Sequence, residues 1–335
     1  MAAMPPPCSE PAATQCRLRI GISACLLGES VRYDGGDKRA PLLCDVVACR
    51  VDWVPVCPEV EIGLGTPRPP MVLLGGNGRP PRLWTPSTGA DYTKSMRSWA
   101  REKVAHLADQ GLAGYVLKSR SPSCGLRGVP LHDSDGREVG AGSGLFASAL
   151  VHGMPLLPLA EECELEDPAA LTQFLRRAFF YRRWLRREEP LDVFHRRHRA
   201  LMLACGAAAT RRLDRALAAA GAEVESLAPQ YGATALRILR HLPSRRCHAR
   251  NLGWVVGHLV VHVGDRQRRR NVEAYRAYGR GELSWSEAAS LLRHSAEEVA
   301  LGSVLESAYL FPEPAEWELL VRLDRLQTPE CAPVN

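Results

Sequence analysis

Four short apolar runs punctuate the first 160 residues: 17–23 (RLRIGIS), 51–56 (VDWVPV), 113–117 (AGYVL) and 154–158 (MPLLP). Between them, residues 39–49, 93–111 and 144–152 carry helical spacing, with Met96, Trp99, Val104 and Leu107 marking the apolar face of the second. Apolar runs of this length bounded by turn residues read as buried strands. Strand–helix–strand repetition predicts an α/β unit with a doubly wound, mostly parallel sheet and connecting helices on both faces. The Pro- and Gly-rich segment 67–84 (PRPPMVLLGGNGRPPRLW) interrupts the alternation as a loop with a small hairpin.

Past an acidic cluster at 161–168 (EECELEDP) the pattern changes. Helical spacing runs over 171–187, 191–220, 230–242, 250–263, 268–278 and 284–309, broken at Pro190, Gly221, Pro243, Gly264, Gly279 and Pro312. An all-α domain over 169–330 is therefore expected behind an α/β domain over 17–160, and 335 residues are enough for two cores. Residues 1–16 read as a short disordered tail. They lack the basic and apolar regions of a signal peptide, and no uncharged apolar run of about eighteen residues occurs, so a cytoplasmic protein is expected.

Charge is unevenly placed. The formal net charge is +6, yet residues 175–328 alone hold 26 Arg and no Lys against 17 acids. A base-composition bias explains Arg in place of Lys but not the excess of cations, which points to a polyanionic partner. Arg pairs bidentately with phosphate and stacks on bases. In the same half His195 and His198 lie one helical turn apart among arginines, and His258 and His262 lie on an apolar helix. No third metal ligand is evident for the first pair, so a basic helix face is expected there, and core or partner-facing histidines rather than ligands are expected at the second.

Eleven cysteines in a chain expected to stay in a reducing compartment favour metal or catalysis over disulfides. Cys44, Cys49 and Cys205 read as small hydrophobes, and Cys8, Cys16 and Cys331 fall in tails. Cys25, Cys57 and Cys124 differ, since each sits just beyond the carboxyl end of an expected parallel strand, the edge where sites form in open α/β sheets. Gly, Pro and Ser surround them, and such residues allow close backbone approach to inorganic sulfur. There is no C-x-x-C pair of the kind structural zinc usually shows. Three separated thiolates suit a cubane cluster with one iron not ligated by protein, against which structural cysteines and zinc remain open.

SACLLGESVRYDGG (23–36), VCPEVEIGLGTPRPP (56–70) and KSRSPSCG (118–125) occur in this order, and together they resemble the thiouracil desulfidase family. The resemblance spans about 17–158. It implies a 4Fe-4S cluster held by Cys25, Cys57 and Cys124, with the fourth iron taking the sulfur of a thiopyrimidine while water replaces it at carbon. It further implies Glu59 and Ser121 as the catalytic pair, with Ser123 the rival hydroxyl. A carboxylate beside a cluster ligand can serve as general base, although Glu59 is also placed as a helix-start carboxylate and Ser121 as a turn hydroxyl before Pro122. Arg32, Tyr33, Asp34, Arg68 and Lys118 flank the motifs and could bind base or phosphate, and Asp34 has an evident turn role in D-G-G. HRRHR (195–199), RNLGWVVGHL (250–259) and FPEP (311–314) resemble, more loosely, the YbgA-like helical domain found fused behind desulfidases. The family's lysines are missing, and GHL stands where a more polar helix is usual. The fusion implies desulfuration of 4-thiouridine in tRNA to uridine, with the helical half gripping RNA and the base extruded or in a locally open site. The rivals are a desulfidase of free thiouracil, a non-catalytic iron–sulfur module that binds RNA or senses redox state, and a structural zinc protein.

Overall fold

A computed structural model describes residues 17–76 and 79–327. The expected tail over 1–16, with Cys8 and Cys16, and the distal Cys331 lie outside them. The chain forms two compact units that divide between Asp167 and Pro168.

The first unit is α/β. Its central sheet has four strands, β1 (Leu18–Ser23), β2 (Val51–Val56), β6 (Gly114–Leu117) and β9 (Leu159–Glu161), in the order β2-β1-β6-β9. Every pairing is parallel. Leu18, Ile20, Ile22 and all of β6 are buried, as expected of strands covered on both faces. Between β1 and β2 the chain is helical, but as a π-wound segment Leu42–Val47 followed by a 3-10 turn Ala48–Arg50. After β2 comes the single-turn helix α1 (Pro58–Glu61).

The 67–84 segment holds β3 (Val72–Gly76) and β4 (Arg79–Thr85), the expected hairpin. It belongs to a larger element, a five-stranded sheet with β5 (Ala90–Asp91), β7 (Val129–His132) and β8 (Glu138–Gly142), in the order β5-β4-β3-β7-β8. Only the β3–β7 pair is parallel. Its core is Leu73, Leu83, Val129 and Leu145 with Met96 of α2 (Thr93–Asp109). Helix α3 (Leu145–Gly153) packs against α2. The last parallel strand lies later than 154–158, because Met154 closes α3 and Leu157 turns back on it before β9 begins.

The second unit is helical: α4 (Pro168–Leu185), α5 (Leu191–Ala220), α6 (Ala228–Ile238), α7 (Arg245–Leu259), α8 (Asp265–Arg280), α9 (Trp285–Glu298), α10 (Gly302–Leu305) and α11 (Pro314–Gln327). The continuous helix expected over 284–309 is split where Ala300 takes a left-handed φ of 48°. Phe180, Trp184, Phe194, His198 and Tyr231 form an aromatic cluster joining α4, α5 and α6. Charges are buried beside it, with Arg183 Nη1 2.6 Å from Glu316 Oε2 and Arg182 paired with Glu313.

Candidate metal centre and active site

Cys25, Cys57 and Cys124 follow β1, β2 and β6, three strands that are neighbours in one parallel sheet. Adjacent strands lie about 4.8 Å apart, so the loops that leave them start close together. Cys25 sits on a 3-10 turn, Ala24–Leu27, that ends in the left-handed Gly28 (φ 92°), a conformation glycine adopts without steric cost. The Cys25 carbonyl accepts from Gly28 N and, at 2.9 Å, from Lys38 N, which folds the YDGG loop back onto the cysteine. Cys57 is the residue between β2 and α1, where Pro58 fixes the first helical position. Cys124 lies in a tight turn against the start of α3. A Cβ on Gly144 would stand 2.4 Å from the Ser123 carbonyl oxygen, so only glycine lets the helix approach this loop.

All three cysteines line one cavity of about 390 Å³. Glu59, Ser121, Arg32, Tyr33, Arg68 and Lys118 line it too, whereas Asp34 and Ser123 do not. Asp34 instead closes its own turn, its Oδ1 accepting from Gly36 N at 3.1 Å and from Arg32. The Gly36 N–H and the Arg32 guanidinium hold its carboxyl below the usual range. Ser123 is fully buried, with its hydroxyl unpaired among the described residues.

Glu59 is 8% exposed, and its Oε2 receives the Cys57 thiol at 3.6 Å and lies 4.0 Å from Arg68 Nη2. Arg68 is itself tied to the Val31 carbonyl at 2.9 Å. The Ser121 hydroxyl oxygen accepts from Ser123 N at 3.2 Å and Cys124 N at 3.0 Å. With those two N–H groups on its lone pairs, the hydroxyl's remaining capacity is to donate its proton.

The 118–127 loop is pinned at both ends by consecutive carboxylates. Glu161 accepts from Leu126 N at 2.8 Å, and Glu162 accepts from Ser119 N and Oγ at 2.6 and 2.7 Å and pairs with Lys118. Sequence reasoning missed Ser119, Arg120, Lys38 and Glu162. The first two stand inside a motif already singled out, and Lys38 follows another closely. Glu162 is 38 residues beyond Cys124, with no local signal. Lys38 and Arg120 join Arg32, Arg68 and Lys118 in a wall whose one carboxylate, among the described residues, is Glu59.

Burial first, and the Glu59 carboxylate second, push Cys25 up to about 11 and Cys57 up to about 12, and hold Cys124 well above the ordinary thiol range. Left alone, these sulfurs stay protonated, and it takes a cationic centre to draw them out as thiolates. Among the described residues no three His, Cys, Asp or Glu side chains are close enough to share a single metal ion. The thiols stand around a cavity instead, an arrangement suited to a multinuclear centre in which each iron takes its own sulfur. The soft, all-sulfur donor set fits an iron–sulfur cluster.

Several other cysteines and histidines are engaged elsewhere: His195 and His198 are buried rather than on the basic face expected, while His258 is half-buried with Nδ1 2.9 Å from the Trp254 carbonyl and His262 is exposed, so neither is a core residue. Cys44 and Cys49 donate to the Leu26 and Val46 carbonyls, and Cys205 accepts from Gln173. His195 bonds Asp214 at 2.8 Å and Tyr231 at 3.2 Å, and His198 lies between Arg183 and the Phe194 carbonyl.

Fold and cavity together define an α/β unit with a three-thiol cavity at the carboxyl edge of a parallel sheet. Comparison with known proteins gives that class a family. The model of the 2-thiouracil desulfurase family matches residues 20–162, and that of a protein of unknown function, DUF1722, matches 200–314. The uncharacterized protein YbbK of Bacillus subtilis (strain 168) is 30% identical over 135 residues, which are 39% of this chain and 88% of that protein. A solved 4Fe-4S-dependent thiouracil desulfidase, TudS, is 35% identical and matches 45% of this chain and 94% of its own, with a TM-score of 0.35. The chain belongs to the 2-thiouracil desulfurase family. No helix among the described residues is long and apolar enough to cross a membrane.

Proposed function

We propose that the first unit holds a 4Fe-4S cluster on Cys25, Cys57 and Cys124, with one iron free of protein ligands, and that the protein hydrolyses 4-thiouridine in tRNA to uridine and sulfide. The observation that carries this reading is the convergence of three thiols, Glu59 and Ser121 on one cavity walled by cations. When bound, the cluster supplies a Lewis acid for the thiocarbonyl sulfur. Glu59, dry and within reach of the same space, takes a proton from the attacking water. Ser121, its lone pairs held by Ser123 N and Cys124 N, donates to the ring or to the departing group. Water adds to carbon, the C–S bond breaks, carbonyl oxygen remains, and sulfur leaves with the water's protons.

Arg32, Lys38, Arg68, Lys118 and Arg120 favour a substrate that carries phosphate over a neutral free base. The Arg excess of the helical unit supports RNA as its source. The test is anaerobic incubation of cluster-loaded protein with thiolated tRNA, followed by nucleoside analysis. Conversion of 4-thiouridine to uridine with equimolar sulfide is expected. Unchanged 4-thiouridine with a full cluster refutes the reading, and equal turnover of free thiouracil assigns the enzyme to the base instead.

A further inference from the structure

The helical unit buries a cation that has no counter-charge in contact with it. Arg176 of α4 is 4% exposed, and its guanidinium stacks on Trp285 of α9 at 4.7 Å. Among the described residues it makes no ion pair or hydrogen bond. The nearby buried carboxylate, Glu316, is committed to Arg183 at 2.6 Å. A buried charge is costly unless it is matched.

Arg176 lines a cavity of about 200 Å³ to which α7, α8, α9 and α11 also contribute. Arg245 of α7 stands in the same wall, over the Tyr278 ring at 4.9 Å, with Nη1 donating to the Tyr278 carbonyl at 2.9 Å and the Leu283 carbonyl at 3.3 Å. Its Nε and Nη2 have no partner among the described residues. His248, bonded through Nδ1 to the Tyr309 hydroxyl at 2.8 Å, is held neutral by burial and by the two arginines. The lining contains one carboxylate, Asp324, which accepts from Ser286 N at 2.7 Å and makes no ion pair among the described residues. Two guanidiniums thus face one carboxylate across a polar cavity.

We infer that this cavity is an anion site for a phosphate group, held by Arg176 and Arg245. A phosphate accepts from two guanidinium forks at once and supplies the charge that Arg176 lacks. The site lies wholly within the helical unit and does not depend on the desulfidase reading.

The full-length protein is titrated with inorganic phosphate at constant ionic strength, following the indole N–H resonance of Trp285, assigned with Trp285→Phe, and the melting temperature. Saturable movement of that resonance and a rising melting temperature are expected, because a ligand bound only by the folded state stabilises it. Arg176→Met should bind at least about tenfold more weakly yet melt no lower than wild type without phosphate, since it removes an unmatched buried charge. Arg245→Gln, at the surface, weakens binding and keeps the test open if Arg176→Met does not fold. Parallel titrations with uridine monophosphate, and with a terminally phosphorylated oligoribonucleotide against its unphosphorylated counterpart, separate free phosphate, nucleotide and RNA end as sources. A Trp285 resonance indifferent to phosphate in wild type, or a response that survives in Arg176→Met, overturns the inference.

Discussion

Ser121→Ala separates the chemistry of the cavity from its construction. The substitution removes the oxygen that receives Ser123 N and Cys124 N. Each such hydrogen bond is worth about 1 kcal/mol net, so the loop loses roughly 2 kcal/mol, and more if both N–H groups stay dry. That is small against the 5–15 kcal/mol typical of a folded domain, and Cys124 remains anchored through Glu161 at the far end of its loop. The cluster should therefore load. Turnover should fall by about 10²–10⁴, the usual contribution of a positioned proton donor. The assay is single-turnover desulfuration of thiolated tRNA under anaerobic conditions, normalised to iron and sulfide per chain. Ser121→Thr keeps a hydroxyl and should recover much of the rate. The reasoning is refuted if Ser121→Ala, fully loaded, turns over within about threefold of wild type, or if its rate falls only in proportion to lost cluster.

Single replacement of Cys25, Cys57 or Cys124 by Ala should abolish the brown absorbance of the anaerobically purified protein, whereas Cys44→Ala and Cys49→Ala should leave it. Glu59→Gln should retain the colour and lose about 10²–10⁴ in turnover, and a coloured, active variant removes Glu59 from the reaction. His198 and His248 are held well below the ordinary histidine value, chiefly by burial. The unfolded chain then binds more protons than the native one below about pH 6.5, so stability is full above that pH and declines as pH falls beneath it. About 1 kcal/mol per histidine should be lost between pH 6.5 and 5.5 by urea denaturation, and a flat profile contradicts their burial. Arg183→Met strands Glu316, 1% exposed, and should cost the helical unit about 3–5 kcal/mol in the same assay.

The parts of the fold that were legible in the sequence are those where hydropathy and position agree. Ile20, Ile22, Val51 and Val116 are buried in short, mostly apolar runs, interrupted only at Arg19 and Asp52, and the cysteines after these strands inherit the sheet edge. The second sheet was less legible. β8 is exposed over Glu138, Val139, Gly140 and Ala141 and glycine-rich, and β7 is four residues long, so neither carries a period. β7 joins the sheet through β3, more than fifty residues earlier, and β8 pairs with β7. Helix α11 escaped for a different reason. Its Ala315, Leu319, Leu320 and Leu323 have helical spacing, but the stretch lies past the break at Pro312, where the run of expected helices stops short of the domain's end. In the site, the motif residues Cys57, Glu59 and Ser121 announced themselves. Glu161 and Glu162 did not, because an acidic cluster reads as a solvated boundary when its partners lie some forty residues upstream.

Those two neighbouring glutamates set an order of events. Cys124 is presented by a hoop whose two feet stand on Glu161, the last residue of β9, and Glu162, the first of the turn that follows, so these contacts form only once that final strand has joined β6. A chain emerging from the ribosome offers Cys25 and Cys57 early, but the cavity they share with Cys124 is complete only once residue 162 has been made and the sheet is closed. On the function proposed above, iron would enter only a finished pocket, after the sheet that carries all three thiols has closed.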